Sequence, residues 1–366
     1  MDTRITRDEF IKTRGVPSTQ ANARTTLNLF DYFCNESFQK NGDSVVLDIE
    51  KAINADGNYD RLFRLTNSFV QWLMDDHLNI LVKKFRHSEP IRKHNPSSIR
   101  GIISSIRQYF EEFGSIDFSE RKFRRMVKLP KEIHQDPEPF TKNVIRDFVD
   151  TATLPRKALY MTLKDSGMRI GEAVQIRKRD VDMTSNPVMI NIQASYTKTK
   201  HSRITFVTRE TKPFLQRLLA KKEDTDLVFG KPEVRQSVNN EEVLFSRTRE
   251  RLGYTEKYEC NNRNKKNLHS FRAYCATQLA EIFGEEFAHG FIGHKGYLKQ
   301  YIRNKDKLAE KYLRAENSLM IFESVEIVEQ TDKIERLEKA VIELQKLYTL
   351  KEKTEDDLRQ LEILKL

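Results

Sequence analysis

Hydrophobic positions in the first third of the chain recur at helical spacing. The stretches 25–38 and 62–73 both carry apolar side chains three and four residues apart. Because such spacing gathers side chains on one helix face, we predict two core helices there. Ser18 and Thr19 precede the first pattern, and either hydroxyl can cap the helix. Residues 1–15 are polar, carry no such pattern and are predicted to be flexible.

A basic connection at 83–94 leads to a third helical pattern, which begins after the capping residues Ser97 and Ser98 and ends at Gly114. The first 120 residues carry no persuasive strand pattern. We therefore predict an all-helical module over residues 16–120. Its basic connection either lies against a phosphate backbone or is a solvated loop. The cations of this connection that we consider for DNA contact are Lys83, Lys84 and Arg86.

Residues 121–139 combine basic side chains with three prolines. Proline ends helices and has no backbone N–H, so this stretch predicts an extended interdomain linker. A basic tether between two DNA-binding lobes would let them close around a duplex, whereas a merely exposed connector would have the same composition. The cations considered for DNA contact here are Arg121, Lys122, Arg124 and Arg125.

A second domain is predicted over residues 140–325. Its first helices are expected at 141–150, at 156–164 and after the turn 165–173. Arg169 lies at or near the N-terminus of the third helix, where free backbone N–H groups favour an anion. Glu172, three residues further on, can brace the Arg169 guanidinium group.

Alternation of apolar and polar residues predicts two strands, 188–192 and 203–207. The turn between them carries Lys198 and Lys200. A basic hairpin tip can enter a DNA groove, or it is only a solubilising turn. The predicted fold class is therefore α+β, mainly α with a small β-sheet in the second domain.

Two later regions differ in what their patterns predict. A helix is expected at 211–220, whereas 221–265 is polar and predicts little beyond a short apolar segment at 243–245. The last region, 326–366, carries a heptad seam formed by Ile334, Leu337, Val341, Leu344 and Tyr348. This seam favours a short coiled coil or docking helix, with a lone or frayed charged helix as the alternative.

Composition and charge narrow the class of partner. The 366 residues include 64 Lys and Arg against 54 Asp and Glu, which gives a net charge of +10 and a pI near 9.3. Such a surplus favours a polyanion such as nucleic acid. No apolar run approaches the roughly 20 residues of a membrane span, and the N-terminus has no hydrophobic signal core. Three distant cysteines suit a reducing, cytoplasmic setting and form no Cys-x-x-Cys metal or redox motif.

The most suggestive chemistry lies in the stretch 267–279. His269 and Arg272 stand three residues apart within an otherwise half-buried helical pattern, so both side chains leave the same face. The guanidinium offers a planar donor fork for two phosphate oxygens, and the imidazole can donate or move a proton. A pair of this kind is also common on solvated helix surfaces. Its meaning depends on what the rest of the chain supplies.

Four motifs resemble those of the tyrosine recombinases, the phage-type integrase family, and most of all those of integrases from archaeal viruses and mobile elements. The resemblance covers roughly residues 15–325. It implies that a helical core-binding domain precedes a recombinase catalytic domain. In chain order the motifs are Gly-Met-Arg169-Ile-Gly-Glu172, Tyr-Thr-Lys198-Thr-Lys200, His269-Ser-Phe-Arg272, and Ile-Gly-His294 followed by Tyr301.

The family resemblance implies a reaction in which a tyrosine hydroxyl attacks a DNA phosphodiester. A 3′-phosphotyrosyl bond forms, a 5′ hydroxyl is released, and neither metal nor ATP is needed because the phosphoester is conserved. Arg169 and Arg272 would contact the nonbridging oxygens, and Glu172 would support them. Lys198, ahead of Lys200, would protonate the leaving oxygen, His269 would assist proton transfer, and His294 would hydrogen-bond the phosphate.

The nucleophile has two candidates. Tyr301 follows His294 by seven residues, somewhat closer than is usual in the family, and Tyr312 follows by eighteen, which is much further. Tyr312 also falls on a helical stripe with Leu308, Ala315 and Leu319, which explains it as core packing. Tyr297 is expected to pack beside a turn at Gly296. We favour Tyr301.

The resulting hypothesis is a site-specific integrase that acts on double-stranded DNA as a homo-tetramer on paired sites, with the C-terminal helix contacting neighbouring protomers. It needs no cofactor and no membrane. One alternative is a catalytically silent DNA-binding regulator on the same fold. Another is a type IB topoisomerase-like enzyme, which shares the tyrosine chemistry but relaxes supercoils.

Overall fold

The computed structural model describes residues 4–84, 87–132, 138–259, 261–294 and 304–322. They fall into two compact units, one before residue 136 and one from residue 136 onward. Within the described ranges, no helix is both long enough and apolar enough to span a membrane. The predicted heptad region at 334–348 and the tyrosines 297 and 301 lie outside the described residues.

The first unit is a helical domain with one β-hairpin. Its helices pack around a core rich in aromatic rings, among them Phe30, Phe69 and Phe110. In chain order the elements are α1 (Arg7–Lys12), α2 (Pro17–Phe38), α3 (Gly42–Asp56), α4 (Asp60–Met74), β1 (His77–Lys84), β2 (His87–Ile91), α5 (Pro96–Glu112) and α6 (Glu120–Met126).

The N-terminal segment differs from its predicted flexibility. Helix α1 lies within it, capped by Thr6, and its Phe10 is fully buried against the ring of Tyr109. Helix α2 begins at Pro17 with no side-chain cap, so neither Ser18 nor Thr19 has the predicted capping role. Proline suits the first helical turn because its missing N–H would be unpaired there anyway.

The prediction of a strand-free first domain was wrong. Strands β1 and β2 form an antiparallel hairpin, and the ring of His77 stacks on Trp72 with centroids 4.0 Å apart. Ile91 is buried, and Ile80 and Val82 pack partly against the helical core. Packing of these apolar side chains against the helical core therefore stabilises the hairpin, and that contact is not visible in the sequence pattern.

The linker predicted at 121–139 begins later than expected. Helix α6 occupies its first residues, with Ser119 as N-cap. Phe123 on this helix is buried and stacks on Phe118 at 5.2 Å, and Val127 is buried as well. These two apolar side chains tie the segment to the first unit, so the basic residues of α6 belong to a folded surface.

The second unit is mainly helical, with a three-stranded antiparallel sheet in the order β3-β4-β5. The predicted fold class is confirmed for this unit. In chain order the elements are α7 (Lys142–Asp150), α8 (Leu154–Ser166), α9 (Ile170–Ala173), β3 (Val181–Asp182), β4 (Val188–Ile192), β5 (Arg203–Val207), α10 (Lys212–Leu219), α11 (Val234–Arg251), α12 (His269–Phe283), α13 (Glu285–Ile292) and α14 (Lys305–Leu319).

Local sequence explains the main elements of this unit. Thr141 caps α7, and α8 is followed by the C-cap Gly167, whose φ of +58° suits a residue without a side chain. Helix α11 lies in the polar stretch that predicted little. Its Phe245 enters a cluster of stacked rings with Phe148, while most of its other residues remain outside the core.

A buried ionic cluster holds α8 to the elements around it. Lys164, with no exposed surface, contacts Asp165 at 2.5 Å and Glu210 at 2.6 Å. The second carboxylate oxygen of Asp165 accepts hydrogen bonds from the hydroxyls of Thr208 and Thr211. Glu210 also accepts from the backbone N–H of Ile321. The cluster therefore joins α8, the turn after β5 and the chain beyond α14.

We expect Lys164→Met to destabilise the second unit by roughly 3–5 kcal/mol, because two buried carboxylates would lose their cation. Burial raises the pKa of the Cys275 thiol well above its usual value and raises the pKa of the Cys34 thiol to about 12. Both thiols should therefore be alkylated mainly when the structure around them opens. Alkylation of Cys275, followed by peptide mass spectrometry, should accelerate, while alkylation of Cys34 in the first unit should not. Lys212→Met, at an exposed lysine, is the matched control; equal Cys275 rates in the two variants would contradict the prediction.

Candidate active site

The turn between α8 and α9 packs tightly against α12 and α13. A Cβ atom at Gly167 would lie 2.6 Å from Ile292 and 3.2 Å from the sulfur of Cys275. The Gly167 carbonyl accepts a hydrogen bond from Arg272. Arg169 follows as the N-cap residue of α9, as its sequence position predicted. This turn therefore fixes two arginines with respect to each other.

Glu172 is the carboxylate that holds the arginines in place. Its side chain is buried and accepts from the Arg169 backbone N–H at 3.0 Å and from Arg169 Nη1 at 3.1 Å. Arg203, at the start of β5, donates to both Glu172 oxygens, at 2.5 and 3.2 Å. Burial alone would raise the Glu172 pKa, but the hydrogen bond and charge of Arg203, together with Arg169, hold that pKa below its usual value.

Arg272 is the most deeply buried cation of the group. Its Nη1 donates to Gly167, whereas its buried Nη2 has no hydrogen-bond partner within the described residues. Burial, and then the charges of Arg169 and Arg203, lower the pKa of Arg272 from 12.5 to about 9. A buried guanidinium with a spare N–H and surplus positive charge around it is suited to an anion.

Two predicted histidines lie beside these arginines. His269 is the first residue of α12 and is exposed, with its backbone N–H donated to Asn267. Desolvation of its ring and the charges of Arg272 and Arg169 lower the His269 pKa. His294 follows α13, and burial, Arg272 and a neighbouring histidine lower its pKa to about 4. Both rings are therefore mainly neutral near neutral pH.

These side chains share one open cavity of about 610 Å³. Four of the residues singled out in the sequence line it together: Arg169, His269, Arg272 and His294. Its remaining wall consists mostly of small and apolar side chains of α12 and α13, with one carboxylate, and it comprises Ala273, Ala276, Thr277, Ala280, Glu285, Ala288, His289 and Ile292.

Sequence reasoning missed two residues of this site. The sequence predicts Arg203 only as the first residue of a strand and predicts no role for His289. The spacing of His289 five residues before His294 was visible, but nothing in one sequence shows that the chain turns back at Gly293 (φ +79°). Arg203 requires knowledge of the fold, because its partner Glu172 is 31 residues away.

The hairpin lysines do not line the cavity in the described structure. Lys198 and Lys200 are both exposed in the β4–β5 connection, and Lys200 adopts a left-handed backbone with φ of +56°. The predicted catalytic role of Lys198 stays a prediction.

Tyr312 is a core residue. Its side chain is fully buried between the rings of Phe206 and Phe291, and its hydroxyl donates to the Asp165 carbonyl at 3.3 Å. Burial raises the Tyr312 pKa well above its usual value. The packing explanation derived from its helical stripe agrees with this position.

The arrangement can bind and polarise a phosphate group. Two guanidinium groups and three imidazoles line one cavity, and a third guanidinium, that of Arg203, is paired with Glu172. Within the described residues, no three His, Cys, Asp or Glu side chains gather as a metal-binding group.

Residues 139–305 match the model of the phage integrase family. This segment is a phage integrase domain. The family is that of the tyrosine-type site-specific recombinases, so the chain carries the catalytic domain of such an enzyme. The match includes Tyr301 and ends before Tyr312.

Several solved structures resemble the chain that carries this integrase domain. XerA recombinase shares 17% identity over 84% of this chain and 98% of its own, with a TM-score of 0.37. A lambda integrase dimer bound to a COC′ core site shares 12% identity over 82% and 97%, with a TM-score of 0.45. The integrase from mycobacterium phage Brujita shares 12% identity over 87% and 92%, with a TM-score of 0.40.

Glu172→Gln should destabilise the integrase domain by roughly 3 kcal/mol, because two guanidinium groups lose their shared buried anion. Since the folded-state pKa of Glu172 lies below 4.5, its stabilising contribution is present above that pH and is lost as the pH falls through the folded-state pKa. Urea unfolding of wild type and variant should therefore converge in acid. Glu241→Gln, which removes the charge of the partly buried partner of Arg156 at 3.3 Å, should cost less, about 1 kcal/mol, because it leaves one cation and not two without its carboxylate. A pH-independent difference for Glu172→Gln would rule out the charge as its cause.

Proposed function

We propose that this protein is a DNA integrase that cuts and rejoins strands at specific sites through a 3′-phosphotyrosyl intermediate, without metal or ATP. The observation that carries the proposal is the buried, unpartnered Nη2 of Arg272 at a cavity shared with Arg169, His269 and His294. A phosphodiester supplies the missing acceptor and the missing negative charge.

The arginines would act on the nonbridging phosphate oxygens. Arg272 is held by Gly167 and Arg169 by Glu172, so neither guanidinium needs to reorganise when charge develops on the phosphorane. Fixed cations of this kind stabilise a transition state more than a mobile, hydrated cation does. Arg203 would act indirectly, by sharing Glu172 with Arg169.

Proton transfer would fall to the neutral groups around the phosphate. His269 would assist proton transfer, and His294 would donate a hydrogen bond to a phosphate oxygen. Lys198 would protonate the leaving 5′ oxygen. Because Lys198 lies on an exposed connection, this role requires the connection to approach the cavity when DNA binds.

Tyr301 is the proposed nucleophile. The complete burial of Tyr312 argues against its attack on DNA, since its hydroxyl is held inside the core. The family match, which includes Tyr301 and not Tyr312, supports the same choice.

The first unit would bind the duplex around the cleavage site, as a core-binding domain. Helix α6 presents Arg121 and Arg125 one turn apart on an exposed surface, while Lys122 lies over the ring of Tyr59 at 5.0 Å. Arg124 is paired with Glu120 at 2.6 Å. The cations of the β1–β2 hairpin, Lys83, Lys84 and Arg86, have side chains outside the described structure and remain proposed DNA contacts.

At the level of the assembly, we propose a homo-tetramer on paired attachment sites that integrates or excises a mobile element, that of an archaeal virus or other archaeal mobile element in particular. The heptad seam at 334–348 would pack on a neighbouring protomer. Exchange of strands between two sites needs two cleaving subunits at each site, which is the reason for a tetramer.

A pool of nicked duplexes with randomised sequence tests the chemistry directly. The wild-type protein should form an SDS-resistant adduct, and peptide mass spectrometry should find the nucleotide on Tyr301. Tyr301→Phe should abolish the adduct, while Tyr297→Phe and Tyr312→Phe should retain it. Arg272→Lys should slow adduct formation by about 100-fold or more, because a single ammonium cannot replace the fixed donor fork.

The other outcomes of that experiment distinguish the alternatives. DNA binding with no adduct in the wild type would indicate a catalytically silent regulator. An adduct with supercoil relaxation, but without exchange between two sites, would indicate a topoisomerase-like enzyme. An adduct lost in Tyr312→Phe and retained in Tyr301→Phe would overturn the nucleophile.

Arg121→Ala combined with Arg125→Ala should weaken binding to any duplex and reduce the slope of log affinity against log salt by about 2, one unit for each lost phosphate contact. Fluorescence anisotropy across a salt series measures both quantities. Arg124→Ala, on the same helix but already paired with Glu120, should change the slope less. An unchanged slope in the double variant would remove α6 from the DNA interface.

A further inference from the structure

His289 lies in the last turn of α13 and meets the ring of His294. The two Nδ1 atoms are 2.7 Å apart, and the rings stack with centroids 4.8 Å apart at an interplanar angle of 27°. Both residues line the cavity that holds Arg169 and Arg272.

The backbone fixes this pair. The His294 N–H donates to the His289 carbonyl at 2.9 Å, and Gly293 between α13 and His294 has a left-handed φ of +79°. A Cβ atom at Gly293 would lie 3.0–3.2 Å from the side chain of Arg203. The turn at Gly293 is thus packed against Arg203, and it places the ring of His294 beside the ring of His289.

A nitrogen–nitrogen distance of 2.7 Å requires one proton between the two Nδ1 atoms. If His289 donates, a neutral His294 carries its proton on Nε2. If His294 donates, its Nε2 is a bare lone pair. The identity of the donor decides whether His294 offers a ligand a hydrogen-bond donor or an acceptor. Its Nδ1 is engaged with His289, so Nε2 is the ring nitrogen available to a ligand.

The chemistry of a phosphate selects between the two arrangements. A bare Nε2 would face phosphate oxygens with a lone pair, which is repulsive, whereas Nε2–H donates a hydrogen bond. Burial, followed by the charges of Arg272, Arg169 and Arg203, disfavours a doubly protonated His294, which would otherwise supply both donors. A neutral ring with a defined tautomer is the remaining way to present a donor.

We propose that His289 is a positioning residue that donates its Nδ1–H to His294 and thereby keeps the His294 proton on Nε2, toward the scissile phosphate. The geometry requires one shared proton between the two rings, and the choice of His289 as its donor rests on the proposed recombinase function, which brings a phosphate to the cavity.

The test uses the full-length protein with histidine labelled by nitrogen-15. Long-range nitrogen–proton correlation spectra near neutral pH distinguish the two tautomers, and loss of signals in His289→Leu and His294→Leu assigns the two rings. In the wild type, His294 should show a protonated Nε2 and an unprotonated Nδ1. His289→Gln, whose amide can still donate, should preserve this pattern, whereas His289→Leu should allow the Nδ1–H tautomer to appear.

Adduct formation on the nicked duplex pool provides the functional arm. His289→Leu should slow the adduct about tenfold, as expected for the loss of one hydrogen bond, and His289→Gln should restore most of the rate. Thermal unfolding of the three proteins identifies any loss of fold, which would slow both variants in step with their stability.

Three results would overturn the inference: an Nδ1–H tautomer of His294 in the wild type, an unchanged tautomer in His289→Leu, or equal adduct rates in wild type and His289→Leu. A wild-type protein that forms no adduct, but shows the expected tautomer, would instead overturn the proposed function and leave the tautomer assignment standing.

Discussion

Three guanidinium groups close together repel one another, and the buried carboxylate of Glu172 is the interaction that lets two of them share one site. Glu172 accepts hydrogen bonds from the backbone N–H and the side chain of Arg169. It also accepts two hydrogen bonds from the guanidinium group of Arg203. Because a carboxylate in water would be screened, burial of Glu172 makes the attraction stronger. The orientation of Arg169 toward the cavity depends on this one group, and through Arg203 so does the base of the β4–β5 connection.

The buried ionic cluster and the arginine site meet at one short segment, residues 164–167. Lys164 and Asp165, near the end of α8, belong to the buried ionic cluster. Two residues after Asp165, the carbonyl of Gly167 accepts a hydrogen bond from Arg272. The backbone carbonyl of Asp165 also accepts hydrogen bonds from the Cys275 thiol and the Tyr312 hydroxyl. Residues 165–167 therefore contact both the buried core and Arg272, and Tyr312 contacts this segment from the core side.

Local chemistry was predictable from the sequence, and tertiary pairing was not. The N-terminal position of Arg169, the brace from Glu172 and the shared face of His269 and Arg272 follow from spacing within one helix or turn. Arg203 and His289 acquire their contacts only when distant elements meet. The same reason accounts for the missed hairpin β1–β2 and for α11, since both depend on a few apolar side chains that pack against another element.

The two faces of the α8–α9 turn also differ in charge balance. On the core side, Lys164 has two carboxylates within reach, so its charge is met before any ligand arrives. On the cavity side, Glu172 alone braces two arginines, and the buried Nη2 of Arg272 lacks an acceptor within the described residues. The guanidinium groups repel one another, and under the proposed function a phosphate would offset that repulsion. The relief is greatest where negative charge accumulates, which is the transition state of phosphoryl transfer. In the proposed mechanism, the unpaired Nη2 of Arg272 would therefore contribute to stabilisation of the transition state.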